Sequence, residues 1–496
     1  MNEKKKKSSR PKSPQEFLMQ EKRKSEKNKI ANRPILLMTY VFAGIFLIMI
    51  LYICKFMILD SQNVIANSYN ARQDKLAEHV IRGDILSSDG EVLATNQYLD
   101  DGSYYRYYPN GSIYAHAVGY STYGKAGVEL TANYYLLTSS ANIFERTYNA
   151  LREEKNMGDT IVTTLDSNLQ ETAYYALGSG KGAVVVMEPD TGKILAMVSK
   201  PDFNPNDIDT VWSSVTEGTA ADQTILLNRA TQGLYPPGST FKTLTTLEFI
   251  RENANWSAYR YTCEGEAAFN NVMIHCYNST VHGEEDLADS LAFSCNTSFS
   301  NIGTTEIDMD KFHALTEEFL FNKSLPYGGN YNKSSFVLDG KSDKSLIPQT
   351  VIGQGDTQIS PLHNAMIMST IANGGVMMKP YIVDHIENYE GVNVKRFTPS
   401  VYKRLMTTGE AETMTELLEG VVDYGTGYAV NTDAYSVAGK TGTAEYNSEG
   451  KSHSWFVGFS NVDNPDIVVC VVVEEADTSG IRATNVARQI FDAYYQ

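Results

Sequence analysis

The residue types best suited to chemistry lie in one short segment, Leu234 to Lys242, which reads Leu-Tyr-Pro-Pro-Gly-Ser-Thr-Phe-Lys. The Pro-Pro-Gly turn cannot continue a helix, and apolar residues follow it at helical spacing, so Ser239 is predicted to open a helix. Backbone N–H groups at a helix start favour negative charge that develops on a reacting oxygen. Lys242 lies three residues on, on the same helix face, and a buried lysine can take the proton of a serine nucleophile. The segment therefore predicts a serine nucleophile with a lysine base.

Two further motifs follow in the order that such a site needs. Ser294-Cys295-Asn296 lies inside a largely apolar stretch from Leu287 to Phe299, and Lys440-Thr441-Gly442-Thr443 lies on a predicted strand. Gly442 suits a strand position where a backbone approaches a ligand closely. Ser-x-x-Lys alone is weak evidence, because it also occurs at Ser9, Ser400 and Ser448, and a plain N-cap is the alternative role for Ser239. The three motifs together, on a helix, an inter-helix loop and a strand, carry the prediction.

Hydrophobic patterning predicts an α+β domain that positions these motifs. Asp166 is a suitable N-cap for a helix from Ser167 to Leu177, and Pro189-Asp190-Thr191-Gly192 is a turn sequence between two apolar runs. The predicted strands are Ile161 to Leu165, Ala183 to Met187, Lys193 to Val198, Tyr435 to Tyr446, Ser454 to Phe459 and Ile467 to Glu474. A closing helix is predicted from Asn485 to Tyr495, and residues 205–430 between the strands are mostly helical and loop-like. Short turns make neighbouring strands antiparallel, so we expect the early and late strands to meet in one sheet.

Charge and hydropathy divide the chain before this domain. The whole chain carries −17, but residues 1–33 hold twelve Lys and Arg against four acids, a net +8, which leaves −25 for the rest. This acidic remainder of the chain does not offer the basic patch that nucleic-acid binding requires. Ile35 to Cys54 is an uncharged apolar run long enough to cross about 30 Å of hydrocarbon as a helix. We interpret it as a signal anchor, with the basic flank in the cytoplasm and the C-terminal bulk outside.

The five cysteines predict neither a metal site nor a cofactor. Cys54 lies in the apolar run, Cys295 and Cys470 lie in apolar contexts, and Cys263 and Cys276 could form a disulfide. An unpaired, buried thiol is the alternative for each of them. No Cys/His cluster has a familiar zinc spacing, so we expect no metal ion.

The trio of Ser239 to Lys242, Ser294 to Asn296 and Lys440 to Thr443 resembles the signature of penicillin-binding proteins and class A β-lactamases. The wider context resembles the class B penicillin-binding proteins, and the likeness covers nearly everything after the apolar run. It includes the following segments: Arg82 to Ile85, Gly124 to Glu129, Gly182 to Pro201, Asn228 to Lys242, His282-Gly283, Gly353 to Gly355, Ser360 to Leu362, Ala372 to Gly375 and Gly425 to Gly427. Ser87-Ser88-Asp89-Gly90 departs from the Asp-Arg-Asn-Gly turn of that family.

This resemblance implies an architecture. Residues 1–33 would be a basic cytoplasmic tail, 34–54 a transmembrane signal anchor and 55–157 a small β-rich pedestal without catalytic residues. Residues 158–496 would form the transpeptidase domain, an antiparallel sheet flanked by helices with a helical subdomain.

The resemblance also implies a peptidoglycan D,D-transpeptidase that cross-links stem peptides, is acylated by β-lactams and needs no cofactor. Ser239 would be the nucleophile, Lys242 its base, and Ser294 the relay of a proton to the leaving amine. The remaining residues would bind substrate: Asn296, Lys440, Thr441, Gly442 and Thr443. Lys440 would also lower the pKa of Lys242 through its charge. Backbone N–H groups of Ser239 and Thr443 would form the oxyanion hole.

Several alternatives compete with this interpretation. A β-lactamase needs a base for the deacylating water, and no segment resembles its Glu-bearing loop. A penicillin sensor needs a cytoplasmic effector larger than residues 1–33. A scaffold of the cell-wall synthesis machinery is the rival from another class. Residues 55–160 are too short for the glycosyltransferase domain of bifunctional relatives and the chain contains no Glu-Asp-x-x-Phe motif, so we expect an integral-membrane glycosyltransferase as partner.

Overall fold

The computed structural model describes residues 13–57, 71–218, 222–445 and 451–496. Residues 1–12 of the predicted basic tail, residues 58–70 of the predicted pedestal and Tyr446 of a predicted strand lie outside the described residues. The chain divides into two compact units, residues 1–70 and 71–496.

The first unit contains one long helix, α1 (Pro14–Lys55). The helix begins with a capping box, because Ser13 Oγ accepts the Glu16 N–H at 3.3 Å and the Glu16 carboxylate accepts the Ser13 N–H at 3.2 Å. It therefore starts well before the predicted span and runs through Pro34. Its most apolar part has a mean hydropathy of 2.5 and is fully exposed, which makes it the one candidate membrane span among the described residues.

The second unit mixes strands and helices. Its strands are β1 (Val80–Ile81), β2 (Ile85–Leu86), β3 (Val92–Tyr98), β4 (Tyr104–Tyr107), β5 (Asn156–Met157), β6 (Thr160–Thr163), β7 (Gly182–Met187), β8 (Ile194–Lys200), β9 (Tyr261–Cys263), β10 (Glu266–Phe269), β11 (Val272–His275), β12 (Gly283–Glu285), β13 (Val376–Met378), β14 (Val383–Glu387), β15 (Asn393–Arg396), β16 (Val401–Arg404), β17 (Val437–Glu445), β18 (Ser452–Ser460) and β19 (Val468–Val473). Its α-helices are α2 (Ala115–Val118), α3 (Gly127–Thr131), α4 (Asn133–Leu136), α5 (Ile143–Leu151), α6 (Ser167–Leu177), α7 (Ile208–Glu217), α8 (Lys242–Glu252), α9 (Leu287–Ala292), α10 (Asn296–Asn301), α11 (Met309–Glu318), α12 (Ile347–Thr350), α13 (Pro361–Ala372), α14 (Thr408–Asp423), α15 (Ala476–Ser479) and α16 (Ala483–Tyr494).

A five-stranded antiparallel sheet of order β17-β18-β19-β7-β8 forms the centre of this unit. The predicted meeting of early and late strands in one sheet is confirmed for β7 and β8, but the predicted strand at Ile161 to Leu165 corresponds to β6 and lies in another sheet. The predicted helix α6 is confirmed with Asp166 as its N-cap, whose carboxylate accepts the Leu169 N–H at 2.9 Å. Side chains alternate across the buried strands. Val469 and Val471 face the cluster that contains α6 and α16, whereas Cys470 and Val472 face the larger cluster that contains α13.

A second sheet joins parts of the chain that are far apart in sequence. Its order is β15-β14-β6-β2-β3-β4. β6 pairs in parallel with β2 and antiparallel with β14. Strands from either side of residue 158 therefore share one sheet, and the domain boundary at that residue stays a prediction.

A buried ion cluster links the two early segments that carry the family resemblance. Glu129, which is fully buried, accepts from Arg82 Nε at 2.5 Å and from Arg106 Nε at 2.7 Å. Tyr108 donates to the same carboxylate at 3.3 Å. A buried carboxylate needs such partners, so Arg82 and Glu129 of these segments form one structural unit.

Residues 205–430 also contain short hairpins that the sequence did not reveal. β9 pairs with β12 and β10 pairs with β11, both antiparallel. Strands of three or four residues are too short for an alternating pattern to stand out from a loop. These hairpins precede the Ser294 motif in the chain.

Candidate active site

Ser239 lies in a tight turn at the start of a buried helix. The turn Gly238–Phe241 is a 3₁₀ turn and α8 begins at Lys242, so the α-helix starts three residues later than the sequence indicated. Gly238 has a φ of +53°, and a Cβ there would lie 2.7 Å from the Thr443 carbonyl oxygen. Only glycine suits this position. The Pro-Pro-Gly sequence thus brings Ser239 close to the strand that carries Thr443.

Neighbouring backbone and side chains hold this turn in place. The Gly238 N–H donates to the Gly353 carbonyl at 2.9 Å, and Trp455 Nε1 donates to the Pro236 carbonyl at 3.1 Å. Thr240 Oγ1 donates to the Pro237 carbonyl at 2.8 Å. Because Trp455 lies on β18 and is almost fully buried, the central sheet fixes the position of the serine.

Lys242 is fully buried and contacts the second motif. Its Nζ donates to the Ser294 carbonyl at 2.6 Å and to Asn296 Oδ1 at 2.7 Å, and lies 3.3 Å from Ser294 Oγ. Burial lowers the pKa of Lys242 from 10.5 to about 8. At pH 7.5 about a quarter of such lysines are neutral, against about a thousandth at the ordinary pKa. The side chain is thus available as a base near neutral pH.

The loop of the second motif is held in a strained conformation. Ser294 connects α9 to α10 with a φ of +59°, which a residue with a side chain rarely adopts. Cys295 accepts the Ser298 N–H, and Asn296 Nδ2 donates to the His275 carbonyl at 2.9 Å. Such conformations cost about 1–3 kcal/mol and persist where the surroundings enforce them. Here the outcome is that Ser294 and Asn296 both face Lys242.

The third motif occupies the edge strand beside this loop. Lys440 to Thr443 lie on β17, opposite Val457 to Ser454 of β18. Lys440 is fully buried, and burial, followed by the charge of Lys242, holds its pKa well below the ordinary value. Sequence reasoning expected Lys440 to depress the pKa of Lys242. Burial is instead the main cause for both lysines, and the charge effect acts on Lys440.

A groove of about 990 Å³ brings the predicted residues together. Its lining includes Ser239, Ser294, Asn296, Thr441, Gly442 and Thr443, while Lys242 and Lys440 are buried. The groove also contains Thr426, whose Oγ1 lies 2.6 Å from Thr441 Oγ1. Sequence reasoning noted Gly425-Thr426-Gly427 only as a family-like segment. The two glycines that flank Thr426 are the sequence signal that could have indicated a close backbone approach at this position. A Cβ on Gly425 would lie 2.3 Å from the Ala292 carbonyl oxygen.

Three cysteines and a histidine lie together beside the Ser294 loop. They are Cys263, Cys276, His282 and Cys295, and their candidate ligand atoms all lie within 4.8 Å of one another. The three thiols are free, so the suggested pairing of Cys263 with Cys276 is not formed. The sequence predicted no metal site because the spacing is unfamiliar. The fold nevertheless collects four metal-binding side chains that are far apart in the chain.

Comparison with known proteins agrees with this geometry. Residues 182–492 match the model of the penicillin binding protein transpeptidase domain, and residues 82–161 match the penicillin binding protein A dimerisation domain. A similar curated protein is the peptidoglycan D,D-transpeptidase PbpA of Mycolicibacterium smegmatis, which is 29% identical over 441 residues. That alignment covers 82% of this chain and 87% of the relative.

Solved structures show the same likeness. The D,D-transpeptidase domain of an Eggerthella lenta peptidoglycan glycosyltransferase has a TM-score of 0.73 and 32% identity, over 83% of this chain and 97% of that one. Penicillin-binding protein A of M. tuberculosis, solved as an imipenem acyl-enzyme complex, has a TM-score of 0.75 and 28% identity, over 84% and 99% of the two chains.

The contact between Asn296 and Lys242 generates a testable pH effect. Asn296→Asp places a carboxylate 2.7 Å from the ammonium, and an opposite charge at that distance raises a lysine pKa by about 1–3 units. We expect the acylation rate with a fluorescent penicillin to rise with pH around 8 in the wild type. In the variant the increase in acylation rate occurs at a higher pH, and the acylation rate at pH 7.5 falls about 10-fold or more.

Asn485→Asp is the matched control, because it adds the same charge at an exposed position on α16. The pH dependence of its acylation rate should match that of the wild type. An unchanged profile in Asn296→Asp would contradict a role for neutral Lys242.

Proposed function

The chain belongs to the penicillin-binding protein transpeptidase family, and from this membership we propose that it is a peptidoglycan D,D-transpeptidase and a penicillin target. In this proposal the enzyme cross-links stem peptides through an acyl-serine intermediate. The observation that carries the mechanism is the buried Lys242 ammonium, held by Ser294 and Asn296 next to the turn that bears Ser239.

Acylation begins at Ser239. Neutral Lys242 takes the proton of Ser239 Oγ, and the oxygen attacks the carbonyl carbon of the penultimate D-Ala of a stem peptide. The pKa of Lys242, about 8, suits this transfer because a base works best when its pKa is near the working pH. The C–N bond to the terminal D-Ala then breaks and leaves an ester on Ser239.

The leaving amine needs a proton, and Ser294 is placed to relay it. Ser294 Oγ lies 3.3 Å from Lys242 Nζ, so a proton taken from Ser239 has a short route to the amine. Lys440, buried near Lys242, would assist this relay through its charge when protonated. Asn296 would bind the substrate amide and steady Lys242.

The edge strand β17 is proposed to bind the donor peptide. Thr441 and Thr443 border the groove and would hold the terminal carboxylate, together with the Lys440 charge. Gly442 lets the strand pack close to the serine turn, since a Cβ there would meet Trp455, Pro237 and Thr240 at 3.0–3.1 Å. Backbone N–H groups of Ser239 and Thr443 would form the oxyanion hole, a device worth about 3–4 kcal/mol per donor.

An amine of a neighbouring stem peptide would then attack the ester and complete the cross-link. Water attack would give a hydrolase instead. The absence of a segment like the β-lactamase Glu-bearing loop favours the amine. A scaffold without activity is the alternative from another class, and the intact contacts of Lys242 argue against it.

Penicillin labelling tests the acyl-serine proposal. We expect the full-length protein in detergent to form a long-lived covalent adduct with fluorescent penicillin, and mass spectrometry to locate it on Ser239. Ser239→Ala should abolish the label, because it removes the proposed nucleophile and leaves no hydroxyl group at the acylation position. Ser400→Ala is the control, because it removes the serine of another Ser-x-x-Lys sequence. Ser400 is exposed and lies directly before β16, so this variant should label normally.

Two results would redirect this proposal. Rapid loss of the label would indicate a β-lactam hydrolase. An unlabelled protein that remains folded by circular dichroism would favour the scaffold.

We further propose that the chain crosses the membrane once, with residues 1–33 in the cytoplasm and the rest outside. The basic flank before the apolar part of α1 supports this orientation, because Lys and Arg stay on the cytoplasmic side. Green fluorescent protein on the N-terminus and alkaline phosphatase on the C-terminus should both be active in cells. Activity only when alkaline phosphatase is on the N-terminus and green fluorescent protein is on the C-terminus would indicate the opposite orientation.

The proposed division of the chain follows the family. Residues 34–54 would be the anchor, 55–157 the pedestal and 158–496 the transpeptidase domain, in keeping with the matched segments 82–161 and 182–492. We propose that the anchor and pedestal contact an integral-membrane glycosyltransferase, since neither of the two matched domains is one that polymerises glycan strands.

Co-purification in detergent tests this partner. A tagged full-length chain should retain the glycosyltransferase, and a chain whose Ile35 to Cys54 is replaced by an unrelated membrane helix should retain less of it. Clean separation of the two proteins in the wild type would contradict the proposal.

A further inference from the structure

The cluster beside the Ser294 loop consists of four potential ligands from four separate positions. Cys263 ends β9, Cys276 follows β11, His282 precedes β12 and Cys295 precedes α10. The Sγ atoms of Cys263 and Cys276 are 3.7 Å apart, and those of Cys276 and Cys295 are 3.8 Å apart. His282 Nδ1 lies 3.3 Å from Cys263 Sγ. All three cysteines are buried.

These separations match a tetrahedral metal centre. Zinc binds thiolate sulfur at about 2.3 Å and imidazole nitrogen at about 2.0–2.1 Å. The corresponding edges of a tetrahedron are about 3.8 Å between two sulfurs and about 3.6 Å between sulfur and nitrogen. The observed distances of 3.7, 3.8 and 3.3 Å lie close to these values.

The surroundings of the sulfurs favour thiolates. The Gly265 N–H donates to Cys263 Sγ at 3.4 Å, and the Ser298 N–H donates to Cys295 Sγ at 3.4 Å. Thr297 Oγ1 donates to Cys263 Sγ, also at 3.4 Å. Hydrogen bonds to sulfur stabilise the ionised form that binds metal.

We propose that Cys263, Cys276, His282 and Cys295 bind one zinc ion as a structural site. Three thiolates and one imidazole make a closed set of the kind that structural zinc sites use, with no open position for a substrate. Redox-inert zinc suits a soft, sulfur-rich ligand set.

The position of Cys295 gives this zinc a function. Cys295 lies between Ser294 and Asn296, the two residues that contact Lys242. The metal therefore ties the β9–β12 hairpins to the loop whose Ser294 has a φ of +59°. It holds that loop in the conformation that presents Ser294 and Asn296 to Lys242. This effect on catalysis rests on the proposed function, whereas metal binding does not.

A disulfide is the competing arrangement for an exported protein. One disulfide between any two of the three cysteines would leave the third as a buried thiol, and it would leave His282 without a ligand role. The zinc centre uses all four groups, and for this reason we favour it.

Metal analysis of the full-length protein tests the proposal. The protein is purified in detergent without chelator, and zinc is measured by inductively coupled plasma mass spectrometry. We expect about one zinc per chain. Cobalt(II) added to chelator-stripped protein should give the intense d–d and sulfur-to-cobalt absorption bands of a tetrahedral thiolate site. Cys276→Ser should lose most of the metal, whereas Cys470→Ser, which alters a buried cysteine of β19 outside the cluster, should retain it.

The wild-type measurement decides the matter even if Cys276→Ser fails to fold. Less than about a tenth of a zinc per chain, with no cobalt bands, would overturn the site. A Cys263–Cys276 disulfide in non-reduced peptide maps would also overturn it. Stripped protein should be acylated by penicillin about 10-fold more slowly and recover on addition of zinc. A zinc-loaded protein that is not acylated would contradict the proposed function and leave the metal site intact.

Discussion

The burial of the Lys242 ammonium is the constraint on which the rest of the site depends. A cation taken out of water needs hydrogen-bond acceptors, and here the acceptors are the Ser294 carbonyl and Asn296 Oδ1 at 2.6 and 2.7 Å. The same burial lowers the pKa of the lysine to about 8, which turns a strongly basic ammonium into a base that can act near neutral pH. The two hydrogen bonds therefore make the Lys242 ammonium tolerable in the protein interior, and the burial makes the side chain chemically active.

The elements around Lys242 are arranged so that this one side chain meets three parts of the chain. The Pro-Pro-Gly turn sets Ser239 before α8, and Trp455 and Gly353 fix that turn against the central sheet. The strained Ser294 loop approaches from the helical side, and β17 closes the groove from the sheet side. Contacts with the central sheet and with the helical side hold these elements in place, and this arrangement preorganises the groove for acyl transfer.

The sequence predicted the parts of this arrangement that have strong local patterns. The central sheet followed from long apolar runs separated by Pro-Asp and Gly turns, and α6 followed from Asp166 and helical spacing. The catalytic residues followed from motif order. Short hairpins such as β9 to β12 escaped notice because three residues carry no usable period.

Contacts between distant positions were equally invisible in the sequence. Thr426 meets Thr441 across the groove, and Cys263 meets Cys295 from over thirty residues away. Only the folded chain shows that burial, more than the Lys440 charge, sets the pKa of Lys242.

The most direct test of this account follows the acyl group through a complete turnover. The full-length protein is mixed with a stem-peptide thioester donor, and intact mass is recorded over time with and without a D-amino acid as acceptor amine. The account predicts an adduct on Ser239 that disappears faster when the amine is present, with formation of the peptide–amine product. An adduct on another residue, no adduct on folded protein, or loss of the adduct to water alone would contradict it.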